Sequence, residues 1–312
     1  MLSQKAERAL SFWSENDRPV PQDLFVCPVC KGGLRNAGVD AIVCTICGLR
    51  FRQASKDYVN LLPDDLWQPH ADCWSERQHE MEEWYRELIA EPIAARDILI
   101  EHDYKPYARV LANFSGTVLD LGGGAGFTRQ FLGADVRYIV ADPSLDWLAP
   151  DWQRIAEPGF ASGETPSFVR AVGEHLPFPD QMFDAVLALW SLNHVREPEA
   201  VFREVHRALK PAGRFLAVLE DMEPSWGDLW GGAVRRLARY GTRVTTTAHH
   251  HPFTRRLLKA KLGRNLLLHK WPVQTDHIRI QDSEISKWSA GYFKFHRREW
   301  IGSYLAYQFE RA

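Results

Sequence analysis

The chain has 312 residues, of which 45% are hydrophobic, with 38 Lys and Arg against 40 Asp and Glu. That composition is ordinary for a globular protein and excludes collagen, a coiled coil and wholesale disorder, and the length suits one large domain with an appendage, or two domains. The formal charge of −2 hides an asymmetry: Arg235 to Trp300 carries fifteen Lys/Arg and four Asp/Glu, a net of +11, and leaves −13 on the rest.

Residues 1–21 carry charge from Lys5 onward and have no continuous apolar stretch. A secretory signal is therefore not expected. No apolar run approaches the ~20 residues of a membrane span. A cytoplasmic protein without a membrane partner is the expectation.

Four of the five cysteines form the pairs Cys27-Pro-Val-Cys30 and Cys44-Thr-Ile-Cys47, with thirteen residues between them. The spacing is close to that of two metal-binding knuckles. Two thiolates three positions apart on a tight turn can hold one side of a tetrahedral Zn²⁺, and a second turn closes the shell. A four-cysteine set leaves no open position, so the metal is expected to be structural. Two disulfides or four reduced thiols are the alternatives, and a cytoplasmic setting disfavours the first. Cys73 reads as an ordinary buried thiol.

The run from Asp23 to Pro63, with both pairs and Tyr58-Val59-Asn60-Leu61-Leu62-Pro63, resembles a known module. It is similar to the zinc ribbon of the ribosomal large-subunit guanine-N1 methyltransferases. It also looks like the small ribbon proteins that activate tRNA and protein methyltransferases.

Residues 64–113 have almost no strand signal. Trp74, Met81, Trp84, Tyr85, Leu88 and Ile89 recur at three- and four-residue steps, as in an amphipathic helix. Pro92 stands where a second helix could begin. Thr117 to Leu121 then reads as a short apolar strand, Gly122-Gly-Gly-Ala-Gly126 as a turn, and Phe127 to Leu132 as a helix start. Arg137 to Ala141 reads as a second strand that ends in Asp142-Pro-Ser. Strand, glycine turn, helix, strand and acid form the first half of a nucleotide-binding α/β sheet. Glycines let the backbone approach a ligand, and a helix N-terminus favours an anion. An NAD fingerprint would need Gly or Ala at position 127, where Phe127 stands. Asp120 precedes the turn at a place where a carboxylate can face a cationic ligand.

Val118-Leu-Asp-Leu-Gly-Gly-Gly-Ala-Gly126 resembles the first motif of the class I methyltransferases that use S-adenosylmethionine (SAM). The likeness continues in order through Gly173-Glu-His-Leu-Pro-Phe-Pro-Asp180, Phe183-Asp-Ala-Val-Leu-Ala188, Leu192-Asn-His194 and Phe202 to Leu216, over roughly residues 105–220. It implies an α/β fold with a seven-stranded doubly wound, Rossmann-like sheet and one antiparallel strand. It also implies a layout of residues 1–63 as ribbon, 64–104 as helical linker or cap, and 105–312 as the methyltransferase domain with a helical lid insert over about 223–274.

The same resemblance assigns roles. Gly122, Gly124 and Gly126 would wrap the methionine part of SAM, with Gly123 in the same turn as contact or filler. Asp120 would help hold the amino end, directly or through water, Asp142 the ribose hydroxyls, and Pro143 and Ser144 would lie beside the adenine. Val172, Gly173 and Glu174 would edge the adenine ring. Val172 replaces an Asp that often contacts the adenine amino group, so backbone or Glu174 would take over that contact. Ala212 replaces a common Gly, an exchange expected to be harmless.

Trp190 to His194 should reach the methyl group. His194, whose imidazole titrates near neutrality, is a candidate base, with a hydrogen-bonded helix-start residue as the alternative. Glu220 and Asp221, past the strand Phe215 to Leu219, are further candidates. Arg235-Arg-Leu-Ala-Arg239, His249-His-His251, Arg255-Arg256 and Lys259-Ala-Lys261 lie on the insert. Asp276-His277-Ile-Arg279 looks like a run in some sugar and polysaccharide methyltransferases, which makes His277 a catalytic or substrate-binding candidate beside a packing role. Ser283 to Ala290 reads as a last helix, and Tyr292–His296 with Ser303–Phe309 as a terminal hairpin.

The leading expectation is a methyltransferase acting on a hydroxyl or amine of a small-molecule or sugar-type acceptor. The alternatives are an RNA base methyltransferase, favoured by the ribbon and the basic 235–300 segment, and a non-catalytic zinc-ribbon partner. A pI of about 6.6 weighs against the RNA reading, because nucleic-acid domains tend to exceed pI 9.

Overall fold

The computed structural model describes residues 24–38, 41–53, 58–63, 83, 86, 87, 96–160, 166–220, 222–223, 278, 280–301 and 304–312. The amphipathic stretch around Trp74 to Ile89, Cys73, Asp221, His277 and the body of the insert with its arginines and His249–His251 lie outside these residues.

Near the N-terminus, β1 (Leu34–Asn36), β2 (Ala41–Cys44) and β3 (Arg50–Arg52) form a small antiparallel sheet, with Ile42 opposite Phe51. Next, β4 (Val59–Asn60) leaves this sheet and joins the large one. The large sheet also takes β5 (Thr117–Leu121), β6 (Arg137–Asp142), β7 (Ser167–Arg170), β8 (Phe183–Leu189) and β9 (Leu209–Leu219). After β10 (Met222–Glu223) and β11 (Ile280–Gln281), which pair in parallel, β12 (Phe293–Ile301) and β13 (Tyr304–Arg311) complete it.

The strand order is β12-β13-β9-β8-β5-β6-β7-β4. All neighbours from β9 to β4 are parallel, and β13 runs antiparallel to both β9 and β12. The seven strands expected from the sequence are present, and β4 makes an eighth at the edge beside β7. Strands β5, β6 and β8 are nearly all apolar and buried, as parallel strands covered on both faces should be.

Alternate residues feed two cores. Leu119, Leu121, Ile139, Val186 and Phe215 point to one face, where Val201, Phe202 and Val205 of α3 (Pro198–Ala208) pack. Val118, Tyr138, Val140, Leu187 and Leu216 point to the other, where Tyr107 and Leu111 pack, the latter in α1 (Ala108–Leu111). Phe25, Cys27, Leu34, Ile42 and Phe51 of the ribbon belong to the first of these cores. The other α-helices among the described residues are α2 (Pro150–Phe160) and α4 (Asp282–Ser289), the latter opened by a capping box between Gln281 and Glu284.

Two local expectations differ from the structure. The segment after the glycine turn is a five-residue 3-10 helix, Phe127–Phe131, rather than a full helix. The buried Arg129 guanidinium donates to the carbonyls of Gly133 and Ala134 and so closes the segment early. Ala212 lies at φ +58°, in the left-handed region, on the exposed turn at the start of β9. The substitution for glycine there is a strained one. No helix among the described residues is long and apolar enough to cross a membrane.

Candidate active site and cysteine centre

The order of the strands reverses at β5, which has β6 on one side and β8 on the other. In open α/β sheets the crevice outside the strand ends at such a point is where ligands bind. A cavity with about 1020 Å³ of empty space, counting its open mouth, lies there.

One wall is mostly backbone. Gly122 stands at φ +67° and donates its N–H to Ala141, which ties the turn after β5 to the end of β6. A Cβ at Gly122 would lie 2.4 Å from the Ser191 Cβ. Gly124, at φ +55°, passes over the Trp147 ring and donates to Asp142 Oδ2 at 3.1 Å. Asp142 Oδ1 accepts from the Ser144 N–H at 2.9 Å. Both carboxylate oxygens are thereby aimed by backbone groups at the lip of the cavity. Pro143, Val172, Gly173 and Glu174 continue this wall. Glu174 is also committed elsewhere: its Oε1 accepts the N–H groups of Arg196 and Glu197 at the start of α3.

Asp120 is not on the cavity surface itself. It is 1% exposed and accepts a hydrogen bond from the Tyr138 hydroxyl. Burial pushes its pKa up to about 6, against hydrogen bonding that pulls it down. Its Oδ1 has no partner among the described residues. Asp120 therefore sits under the turn, where a Cβ on Gly123 would meet its carboxyl carbon at 2.7 Å. Gly123 and Gly126 shape the turn from behind and do not line the cavity.

The other wall is made of side chains. Trp190 has φ +63°, uncommon for an aromatic residue, and its indole stands edge-to-face with Tyr104, Tyr107 and Tyr304 at 4.9, 5.6 and 5.5 Å. The Trp190 indole nitrogen and the Ser191 hydroxyl are buried without partners among the described residues. His194 Nε2 lies 3.6 Å from Glu220 Oε2, and both residues line the cavity. Asn193, fully buried, accepts from the Glu220 N–H and donates to the Ile278 carbonyl through its side chain, while the Ile278 N–H donates to the Asn193 carbonyl. With β10 paired to β11, this returns the chain to the cavity end of β9 after the insert.

Asp103 is a lining residue that sequence reasoning missed, as are Tyr104, Trp147 and Tyr304. Burial raises the Asp103 pKa, His102 opposes this, and Glu220 adds to it. No spacing marks these residues, because they arrive from three separate segments. His277, the second catalytic candidate, lies outside the described residues.

At the ribbon, the Sγ atoms of Cys27, Cys30, Cys44 and Cys47 all lie within 4.8 Å of one another. None is in a disulfide. Backbone N–H groups of Ile46 and Cys47 point at the Cys44 sulfur. Four thiols converging with N–H donors around them match the donor set of a structural tetrahedral site.

Residues 119–217 match the sequence model of the methyltransferase-domain family. The fold is the Rossmann-like one of the class I methyltransferases. Among curated proteins, the chain is similar to the ubiquinone/menaquinone biosynthesis C-methyltransferase UbiE of Pseudomonas paraeruginosa, 32% identical over 160 residues, 48% of this chain and 61% of that protein. The Hahella chejuensis protein of the same name is 35% identical over 113 residues, 35% of this chain and 44% of that one. The matched region thus spans less than two thirds of the length of these relatives. Among solved structures, a SAM-dependent methyltransferase of Aquifex aeolicus has a TM-score of 0.46 at 15% identity, covering 72% of this chain and 98% of that one.

Proposed function

We propose that the chain is a SAM-dependent methyltransferase acting on a small-molecule acceptor. The observation that carries this reading is the turn from Gly122 to Gly126 at the switch point. Gly122, Gly124 and Gly126 stand at positive φ, a Cβ on Gly122 would strike Ser191 and one on Gly124 would press on the Trp147 ring, and the Gly124 N–H bonds Asp142. The orphaned polar atoms of Ser191 and Trp190 on the facing wall suit a polar ligand.

In this reading Asp142 takes the ribose hydroxyls, Val172 and Gly173 edge the adenine, and the turn from Gly122 to Gly124 runs along the methionine part. Asp103, on the facing wall, is the carboxylate available to the amino group. Bound SAM supplies an electrophilic methyl on a sulfonium. The protein aligns the acceptor and excludes water, through the ring of Tyr104, Trp190 and Tyr304. His194, with Glu220 beside it, takes the proton of an acceptor hydroxyl or amine.

No Lys or Arg lines the cavity among the described residues, whereas Asp103, Asp142, Glu174 and Glu220 do. That supports a neutral or cationic acceptor with a ring or hydroxyl over a phosphorylated one. The four-cysteine cluster holds structural Zn²⁺ in this reading.

A second reading, an RNA base acceptor, is supported by Arg35, Arg50 and Arg52. They are exposed on the ribbon strands, with no acidic residue among the described residues of that sheet. Calorimetry with S-adenosylhomocysteine (SAH) tests the shared core, and absence of binding ends both. A screen with SAM and candidate acceptors, read by mass spectrometry for the gain of one CH2, then separates small molecules from RNA. RNA binding that collapses steeply with salt favours the second.

A further inference from the structure

The cavity wall that edges the adenine in the proposed reading is a five-residue run, Ala171 to His175, between two points gripped by the ribbon segment. At its front end, β4 pairs with β7 and the Leu61 N–H donates to the Arg170 carbonyl at 3.0 Å. At its back end, the Val26 N–H donates to the Pro177 carbonyl at 3.0 Å, and Phe25 packs on Phe178 with ring centroids 5.7 Å apart. Four of the five residues in between, Ala171, Val172, Gly173 and Glu174, line the cavity.

The back grip centres on Lys31, the residue after Cys30. The first knuckle bends it to φ +58°, with its N–H bonded to the Cys27 carbonyl at 2.9 Å. From there the Lys31 ammonium donates to the Leu176 carbonyl at 3.1 Å, the Pro28 carbonyl at 2.9 Å and Glu204 Oε2 at 2.6 Å. The same Glu204 oxygen accepts the Leu176 N–H at 2.9 Å. Arg207 donates to the Leu176 and Phe178 carbonyls and to Glu204. Leu176 is fully buried. The peptide groups on both sides of it are held by one lysine from the ribbon and two charged residues of α3.

We propose that Lys31 is a positioning residue for the cofactor site: it transmits the geometry of the four-cysteine knuckle to the Ala171–His175 wall, and so couples metal binding at the ribbon to SAM affinity. This rests on the methyltransferase reading. Lys31 touches no ligand; it acts through Leu176 and Glu204. The coupling is reciprocal by thermodynamic necessity: whatever factor the metal adds to cofactor affinity, the cofactor adds to metal affinity.

The test uses the full chain with Lys31→Met, which keeps the stem and removes the ammonium, and Lys31→Arg, which restores a cation. Lys31→Met is expected to keep one zinc per chain and a single cooperative melt while binding SAH about tenfold more weakly. It should raise the KM for SAM with little change in kcat, and Lys31→Arg should recover most of the loss. In the unmodified protein, saturating SAH should tighten zinc against a competing chelator by about the same tenfold factor, and this effect should vanish in Lys31→Met.

SAH affinity unchanged in a zinc-loaded Lys31→Met overturns the proposal. If that variant does not fold, the chelator competition on the unmodified protein decides, and zinc affinity indifferent to SAH overturns it. No SAH binding to the unmodified, zinc-loaded protein takes down the methyltransferase reading and this proposal together.

Discussion

The two walls of the cavity are built by different means. The wall from Gly122 to Asp142 is backbone: positive-φ glycines, one N–H bonded to Ala141, and a carboxylate aimed by two further N–H groups. The facing wall is side chains, with Asp103, Tyr104, Trp190, His194, Glu220 and Tyr304 brought from separate parts of the chain. A backbone wall tolerates few residue types, and in the proposed reading it recognises the cofactor. A side-chain wall is free to vary, and in that reading it is the place where the acceptor is chosen.

The sharpest way to break this contrast is Gly122→Ala. The new Cβ would lie 2.4 Å from the Ser191 Cβ at φ +67°, and strain and overlap together cost about 3 kcal/mol. SAH affinity should drop by about 100-fold in calorimetry. A variant that binds normally would show that the turn is not the cradle.

Asp120, under the same wall, provides a pH test. Its pKa is raised in the fold to about 6 from an ordinary 3.8. The protonated form is thus favoured by folding; that stabilisation is complete below about pH 4 and is lost as pH rises through about 6. The span amounts to about 3 kcal/mol at most. Asp120→Asn, which can still accept from Tyr138, should flatten the stability profile between about pH 4 and 6.5. Denaturant melts across that range check it, and an unaltered slope would assign the titration to another group.

Asp142→Ala should weaken SAH about 30-fold with the fold intact, the loss of charge-assisted hydrogen bonds of about 2 kcal/mol. On the opposite wall, Glu220→Gln should lower kcat about tenfold while SAH affinity stays within about twofold. If Glu220→Gln weakened SAH as much as Asp142→Ala, the division between a cofactor wall and an acceptor wall would fail. A control away from both is Ala212→Gly. Relief of the left-handed strain, less the entropy of a new glycine, should stabilise by about 0.5 kcal/mol, read as a small rise in melting temperature with SAH affinity unchanged.

Much of the fold was legible because the parallel strands are continuous apolar runs, as in Val118-Leu-Asp-Leu and Ala185-Val-Leu-Ala-Leu, and burial on both faces requires that. The terminal hairpin and α4 were legible for similar reasons of alternation and capping. The 3-10 segment after Gly126 was not, because what shortens it is a contact between Arg129 and the Gly133 carbonyl that no periodicity announces. Strand β4 was hidden as well: Val59-Asn60 is too short to signal a strand, and it is one only because the exposed edge of β7 pairs with it.

Local constraints are what the sequence determined by itself: the four-cysteine spacing, the glycines at positive φ before a carboxylate, and the strand runs that bury both faces. Each depends on neighbours a few positions away, so residue type and spacing suffice to read it. Only the tertiary structure decided that Asp120 lies beneath the cavity and Asp103 on its wall, and that Lys31 reaches Leu176 and Glu204 across 145 and 173 positions of chain. These contacts depend on how layers stack on an open sheet, and packing between distant segments leaves no periodic trace in the order of residues.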